Sequence, residues 1–415
     1  MRRFTLIVLA VCFACFFGYD AVQAAPRLQE TEEDRIVIVI DPGHGGENLG
    51  TTENGHVEKD MNMTTALAMY EELSLYENVE VYLTHTQDVD MSLKERADFA
   101  ESVGADFLFS IHYNASENHE LFGTEVWVSI HAPYNGYGYQ FGYELLRDME
   151  RSKGLFVRGI KARRGEKDPD SDYYGIIRYS VEKCIPAVII EHCHVDEAHD
   201  AKYCGDEEAL KSFGRADAAA VAKYFGLNVD YAGYPLAESS LSACVESTLR
   251  DDTAPEACRI ELQSADYEEK NLTFLVSAAD SDSVLLYYSY SVDGGKSFSV
   301  REIWPESDAL AGSCAGQFTL TVPVLSGTRP EVIVRAYNMY DLYADSNCYV
   351  SPQTVPTDCP DWEENLEIIP VDGDVYRQEA GQEVDLEILL KAVFAAFLVL
   401  GGMIFVLHFM TRRRR

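Results

Sequence analysis

Between two long apolar stretches near its ends, the chain changes hydrophobic period once. Over residues 35–227, short apolar runs alternate with amphipathic segments. The runs 35–40, 79–83, 107–111, 124–128 and 187–190 read as strands. Segments 60–76, 92–103, 139–152 and 207–225 carry apolar residues at i, i+3 and i+4 and read as helices. This alternation predicts an α/β catalytic domain over about 35–227 with a mainly parallel sheet. From 252 to 352 the period drops to two, as in "LTFLVSAA" and "LLYYSYSVDGGKSF", with Asp293-Gly294 as a hairpin signal. That pattern predicts a small all-β module, a sandwich of immunoglobulin or fibronectin-III type. Residues 356–387 are acidic and aperiodic and read as a stalk.

The apolar ends set the expected topology. Arg2-Arg3, an apolar core and Val22-Gln23-Ala24 have the layout of a secretory signal peptide, 1–25. Residues 392–410, "AVFAAFLVLGGMIFVLHFM", suffice for a transmembrane helix, and Thr411 and Arg412–Arg415 form a basic tail at 411–415. The positive-inside rule then places that tail in the cytosol and the catalytic domain outside, on a single-pass anchor in the cell membrane. A formal net charge of −35 excludes nucleic acid and anionic membrane surface as partners. Eight cysteines follow the signal segment, at 184, 193, 204, 244, 258, 314, 348 and 359, and their spacing leaves the connectivity open.

Candidate chemistry gathers at strand ends. In "VIVIDPGHGG" an apolar run breaks at Asp41-Pro42-Gly43, and His44 stands among glycines at the rim where α/β folds place their sites. Glu58 lies at a helix start in "HVEKDMNM", and His112 ends the strand of "FLFSIHYNAS". Two imidazoles and one carboxylate suit zinc with a fourth position open for water. Glu191, at the tip of "IPAVIIE", is a carboxylate whose burial at a strand end would be costly without a function.

These residues resemble the zinc-dependent N-acetylmuramoyl-L-alanine amidases of cell-wall turnover, the amidase-3 type. The resemblance spans about 35–227 and rests on "DPGHGG", the glutamate of "VEKDMN", "SLKERADFAESVGADFLFSIHYNA" and "IPAVIIE". It implies Zn2+ held by His44, Glu58 and His112, Glu191 as the catalytic carboxylate, and peptidoglycan as substrate. His85 stands where the family usually has arginine, and "EHCHVDE" replaces the usual small residue, glycine and aromatic after the strand. Arg96 is expected to make a structural salt bridge, as its family counterpart does.

The remaining candidates have plainer readings. Asp41 is expected to shape the turn and orient His44, Asn114 to support the loop after His112, and His56 to be solvated. His192, His194 and His199 with Cys193 form a weaker candidate for a second metal site. Between 123 and 177 the sequence offers one helix and a polar loop, so an open cleft is expected. The β module is expected to bind wall or a protein partner. Three functions stand against one another: the amidase, a zinc-dependent peptidase acting within stem peptides, and a catalytically decayed wall-binding protein. Decay removes ligands or the base, and all four residues are present.

Overall fold

The computed structural model describes residues 35–227, 253–310 and 315–357. The expected signal peptide, the stalk beyond residue 357, the membrane span at 392–410 and the tail at 411–415 lie outside them. Among the described residues no helix is long and apolar enough to cross a membrane.

The first part of the chain runs β1 (Ile36–Pro42), α1 (Glu58–Leu73), β2 (Val79–Leu83), α2 (Leu93–Ser102), β3 (Phe107–Asn114), β4 (Thr124–Val128), α3 (Tyr134–Lys153), β5 (Val157–Ala162), α4 (Gly175–Glu182), β6 (Ala187–His194), α5 (Ala198–Cys204) and α6 (Glu207–Phe225). Its strands form one sheet in the order β2-β1-β3-β6-β4-β5. Strands β2, β1, β3 and β6 are parallel. Strand β4 runs antiparallel to β6, and β5 is parallel to β4, so the sheet is mixed. The reversal has a simple cause: β3 and β4 are joined by a loop without a helix, whereas a parallel return needs a crossover.

Alternation along β3 shows how the sheet is covered. Phe107, Phe109, Ile111 and Tyr113 point into a core closed by α1, α3 and α6. Leu108 faces the opposite layer, packed with Ala100 of α2 and Ile176 and Ile177 of α4. Strands buried on both faces read as continuous apolar runs, and these are the ones the sequence pattern marks. Helix α2 starts where Ser92 and Glu95 form a reciprocal capping box.

The second part folds as β7 (Ala257–Asp266), β8 (Asn271–Ala279), β9 (Leu285–Ser291), β10 (Glu302–Ile303), β11 (Ala315–Pro323), β12 (Glu331–Asn338), β13 (Tyr343–Asp345) and β14 (Tyr349–Val350). A β11-β8-β7 sheet packs on a β10-β9-β12-β13 sheet, with β14 added to β12. Ile260, Phe274, Val276, Trp304, Val322, Val332 and Val334 fill the space between them. The Asp293 carboxylate accepts from the backbone N–H groups of Lys296 and Ser297, which makes this stretch a self-satisfied turn.

This β module packs against the α/β domain. Phe122 and Phe156 meet Leu286, Tyr287, Tyr337 and Met339 in a shared apolar cluster. Gly159 of β5 permits the approach, because a Cβ there would lie 2.7 Å from Met339 Cε. The contact lies on the sheet face that also carries Glu125 and Lys161, beside the strand ends that hold the site.

Candidate metal centre

Beyond β1 the backbone turns sharply. His44 itself adopts φ 66°, followed by Gly45 at 129° and Gly46 at 60°. A left-handed histidine is uncommon and needs support. Arg96 of α2 supplies it: Nη2 donates to His44 O at 2.6 Å and Nη1 to Pro42 O at 2.7 Å. The His44 ring is fixed by Asn48, whose Oδ1 lies 3.0 Å from Nδ1. Its Nε2 is thereby turned toward Glu58 Oε1, 3.2 Å away.

Glu58 opens α1 and is almost completely buried. Thr51 N donates to its Oε2 at 2.7 Å and Tyr113 N to its Oε1 at 3.2 Å. His112 Nδ1 lies 3.0 Å from the same Oε1. Burial opposes ionisation of Glu58, but hydrogen bonds from His112 and His44 outweigh it and hold the carboxyl well below its usual range. For His44 burial acts downward, yet the Glu58 carboxylate prevails and raises the imidazole above 6.5.

One ligand atom from each of His44, Glu58 and His112 lies within 4.8 Å of the others. The backbone is cut away around them. A Cβ at Gly43 would overlap the His112 ring, and one at Gly50 would lie 2.7 Å from His44 Cδ2 and 2.9 Å from Glu58 Cβ. The imidazoles are 22% and 18% exposed, so their edges remain open to solvent. Two nitrogens, one carboxylate oxygen and an open side fit a catalytic zinc.

Glu191 pairs with His112 across the β3–β6 ladder, on the same face. Its Oε2 is shielded from solvent and has no hydrogen-bond partner. Burial, then the carboxylates of Glu58 and Glu125, pushes its proton affinity well above that of an ordinary glutamate.

Other expected residues fall elsewhere. Asp41 does not touch the His44 ring; it accepts from Arg96, Thr84 and Ser110, so it anchors the arginine that holds the His44 backbone. Arg96 is the buried salt-bridge residue expected. His85 Nδ1 lies 3.1 Å from Thr84 Oγ1, and burial lowers its pKa. His56 is half-buried near Gly205. Among the described residues the segment after Glu191 forms no second metal cluster: His192 pairs with Asp217, Cys193 faces Cys204, His194 turns to Gly123 O, and His199 pairs with Glu197. Alternation along β6 sends neighbouring side chains to opposite faces. Asn114 supports the loop as expected, its Oδ1 accepting from Ala115 N at 2.8 Å, and its Nδ2 donates to Glu125 Oε1 at 3.1 Å.

Sequence reasoning passed over Asn48, Glu125, Arg158 and Lys161. The signal available was a glutamate in "TEVWV" and two cations in "VRGIKA", charged residues inside apolar stretches. The cysteines described, at 184, 193, 204, 258 and 348, are free thiols.

Comparison with known proteins gives a consistent picture. The family Amidase_3, N-acetylmuramoyl-L-alanine amidase, matches residues 38–223. N-acetylmuramoyl-L-alanine amidase CwlM of Bacillus licheniformis is 33% identical over 194 residues, covering 46% of this chain and 70% of its own length. The sporulation-specific N-acetylmuramoyl-L-alanine amidase of Bacillus subtilis (strain 168) is 30% identical over 193 residues, covering 46% and 69%. The solved catalytic domain of CwlV, an amidase from Bacillus (Paenibacillus) polymyxa var. colistinus, aligns at 27% identity over 46% of this chain and 99% of its own, with a TM-score of 0.40.

Proposed function

Because the chain belongs to the N-acetylmuramoyl-L-alanine amidase family, we propose that it hydrolyses the amide between the lactyl group of N-acetylmuramic acid and L-alanine in peptidoglycan. In this reading His44, Glu58 and His112 hold Zn2+ and Glu191 moves the protons. The observation that carries it is the convergence of those three donors beside a buried carboxylate oxygen with no partner.

When bound, zinc would polarise the amide carbonyl and acidify a water at neutral pH. The chain's own residues do the rest. Asn48 fixes the His44 tautomer so that Nε2 is presented, and Arg96 keeps the His44 backbone in its left-handed turn. Glu191 accepts the proton of the attacking water and returns it to the leaving L-alanine nitrogen, which must be protonated to depart. Burial and two neighbouring carboxylates give Glu191 the high proton affinity that such a carrier uses. No nucleophilic serine or cysteine is needed.

Digestion of purified peptidoglycan by the segment 26–383 with zinc, followed by mass spectrometry, tests the reading. Stem peptides beginning with free L-alanine are expected. Cuts confined to bonds within the stem peptide would give the site to the peptidase alternative, and uncut peptidoglycan with bound protein would give it to the decayed one.

The reaction would serve wall turnover, remodelling or cell separation from the outer face of the membrane. Support comes from the signal-like start and the apolar 392–410 stretch followed by four arginines. Protease added to intact, wall-stripped cells should then remove everything before residue 392 and spare the tail; a protected amidase domain would refute the placement.

A further inference from the structure

Behind Glu191 the sheet carries a second charged layer. Glu125 faces Glu191 across the β4–β6 ladder and is 2% exposed. Its Oε2 accepts from Arg158 Nε at 2.8 Å and Lys161 Nζ at 2.6 Å. Its Oε1 accepts from Asn114 Nδ2 and Trp127 Nε1, both at 3.1 Å. Glu125 therefore ties together β3, β4 and β5 at the level of the site, and Asn114 lies two residues beyond His112 on the same strand.

Arg158 reaches Glu125 through an irregularity. The β4–β5 register shifts between Thr124 and Glu125, leaving Arg158 as an extra residue between Val157 and Gly159. A bulge of this kind re-aims a side chain. Arg158 is 1% exposed, and the two remaining nitrogens of its guanidinium are claimed by the β module. Nη1 donates to Tyr287 Oη at 2.8 Å and Nη2 to Asp341 Oδ2 at 2.8 Å. Tyr287 Oη donates in turn to Phe122 O at 2.8 Å, and Arg301 Nη1 holds the other Asp341 oxygen at 2.8 Å. Two buried cations, Arg158 and Lys161, thus face two carboxylates, one from each part of the protein. A guanidinium fork anchored at both ends has no freedom to slide. Released at the Asp341 end, it would leave Glu125 with an excess of buried positive charge and an unfixed partner.

We propose that Asp341 of the β module is a positioning residue for hydrolysis: by clamping Arg158 it fixes Glu125, and so sets where Glu191 stands relative to the His44–Glu58–His112 set. This rests on the amidase reading. The β module is then part of the catalytic frame, whatever else its outer surface binds.

The test uses the full chain loaded with zinc. Asp341→Ala and Asp341→Asn are compared with Asp308→Ala, which breaks a separate interface ion pair, 2.9 Å from Arg147. Three quantities are read: kcat and KM on a soluble muropeptide, and the indole N–H resonance of Trp127, assigned through Trp127→Phe. Asp341→Ala should lower kcat tenfold or more at a KM within twofold, since a displacement of about 1 Å can cost 10²-fold. It should also shift the Trp127 resonance, because that N–H is bonded to Glu125. Asp308→Ala should change neither. Asp341→Asn keeps the shape and carries the test if the alanine variant does not fold. A KM rise at unchanged kcat, a kcat loss no larger than that of Asp308→Ala, or an unmoved Trp127 resonance would each overturn the proposal. If the wild-type chain releases no L-alanine-ended peptide, the amidase reading fails on its own, and the resonance alone then decides whether Asp341 fixes Glu125.

Discussion

Gly43→Ala should disable the metal centre without touching a ligand. Gly43 is held on both sides: its N donates to Ile111 O at 3.0 Å, and its O accepts from Asn62 Nδ2 at 3.0 Å. A Cβ built there lies 2.7 Å from His112 Nδ1 and closer still to Cε1 and Nε2. Ordinary contact begins near 3.5 Å, so the ring would have to retreat by about 1 Å. His112 sits on β3, paired with β1 on one side and β6 on the other, so the backbone cannot yield that distance. Zinc–nitrogen bonds tolerate deviations of only about 0.2 Å from 2.0–2.1 Å. In the proposed zinc site the displaced imidazole would leave the coordination sphere, and zinc affinity should fall by about 10²-fold or more, roughly 2.7 kcal/mol. Competition against a chelator of known affinity measures this directly. Gly55→Ala is the control: it has φ 83° and open space around it, so it carries local backbone strain with no neighbour at the site. An affinity within threefold of wild type in Gly43→Ala would refute the steric reasoning, and an equal loss in Gly55→Ala would trace it to loop strain.

The remaining tests address charge and protons. Glu191→Gln should retain zinc and slow turnover by about 10²–10⁴-fold, the range for a positioned acid–base group. Glu58→Gln should lose zinc affinity and recover in part with excess metal, so a zinc-free Glu191→Gln would make Glu191 a ligand. Burial, then the nearby Arg158 charge, lowers His194 to about 4 from 6.5. The unfolded chain therefore binds this proton first, so the contribution is complete above pH 6.5 and lost as pH falls toward 4, amounting to about 3 kcal/mol. Urea unfolding at pH 7.5 and 5 should show a smaller pH-dependent loss in His194→Gln than in wild type, and equal losses would remove His194 as the cause. Arg158→Met breaks a buried ion pair, leaving Glu125 to Lys161 and Asp341 to Arg301, and should cost up to about 3–5 kcal/mol of stability by the same assay; a loss under about 1 kcal/mol would show that the remaining cations suffice.

What the sequence made readable follows from what each residue packs against. Strands β1, β3 and β6 are buried on both faces, so their apolar runs stand out, and the residues just beyond or at their ends fall where α/β sites lie. Strand β5 is just as buried but far less apolar. Two of its six residues are cations whose partners, Glu125 and Asp341, are distant in sequence, so no local pattern distinguishes it from a loop. The reversed direction of β4 was equally hidden, because hydrophobic periodicity carries no sign. Asp41 illustrates a subtler miss: proximity to His44 in sequence suggested contact with the ring, whereas the carboxylate is spent on Arg96, 55 positions away. Asn48, four residues after His44, does the orienting and looked like an ordinary loop residue.

The bulge that turns Arg158 toward two partners also bears on how such a chain could be recombined. The family match ends at residue 223, yet the cation buried within it is neutralised in part from residue 341. Exchanging the second half for another domain would deliver a guanidinium to a dry interface with one of its two counter-charges missing. Descent should therefore have tied Arg158 and Asp341 together, and in close relatives that lack the aspartate the arginine should be lost with it.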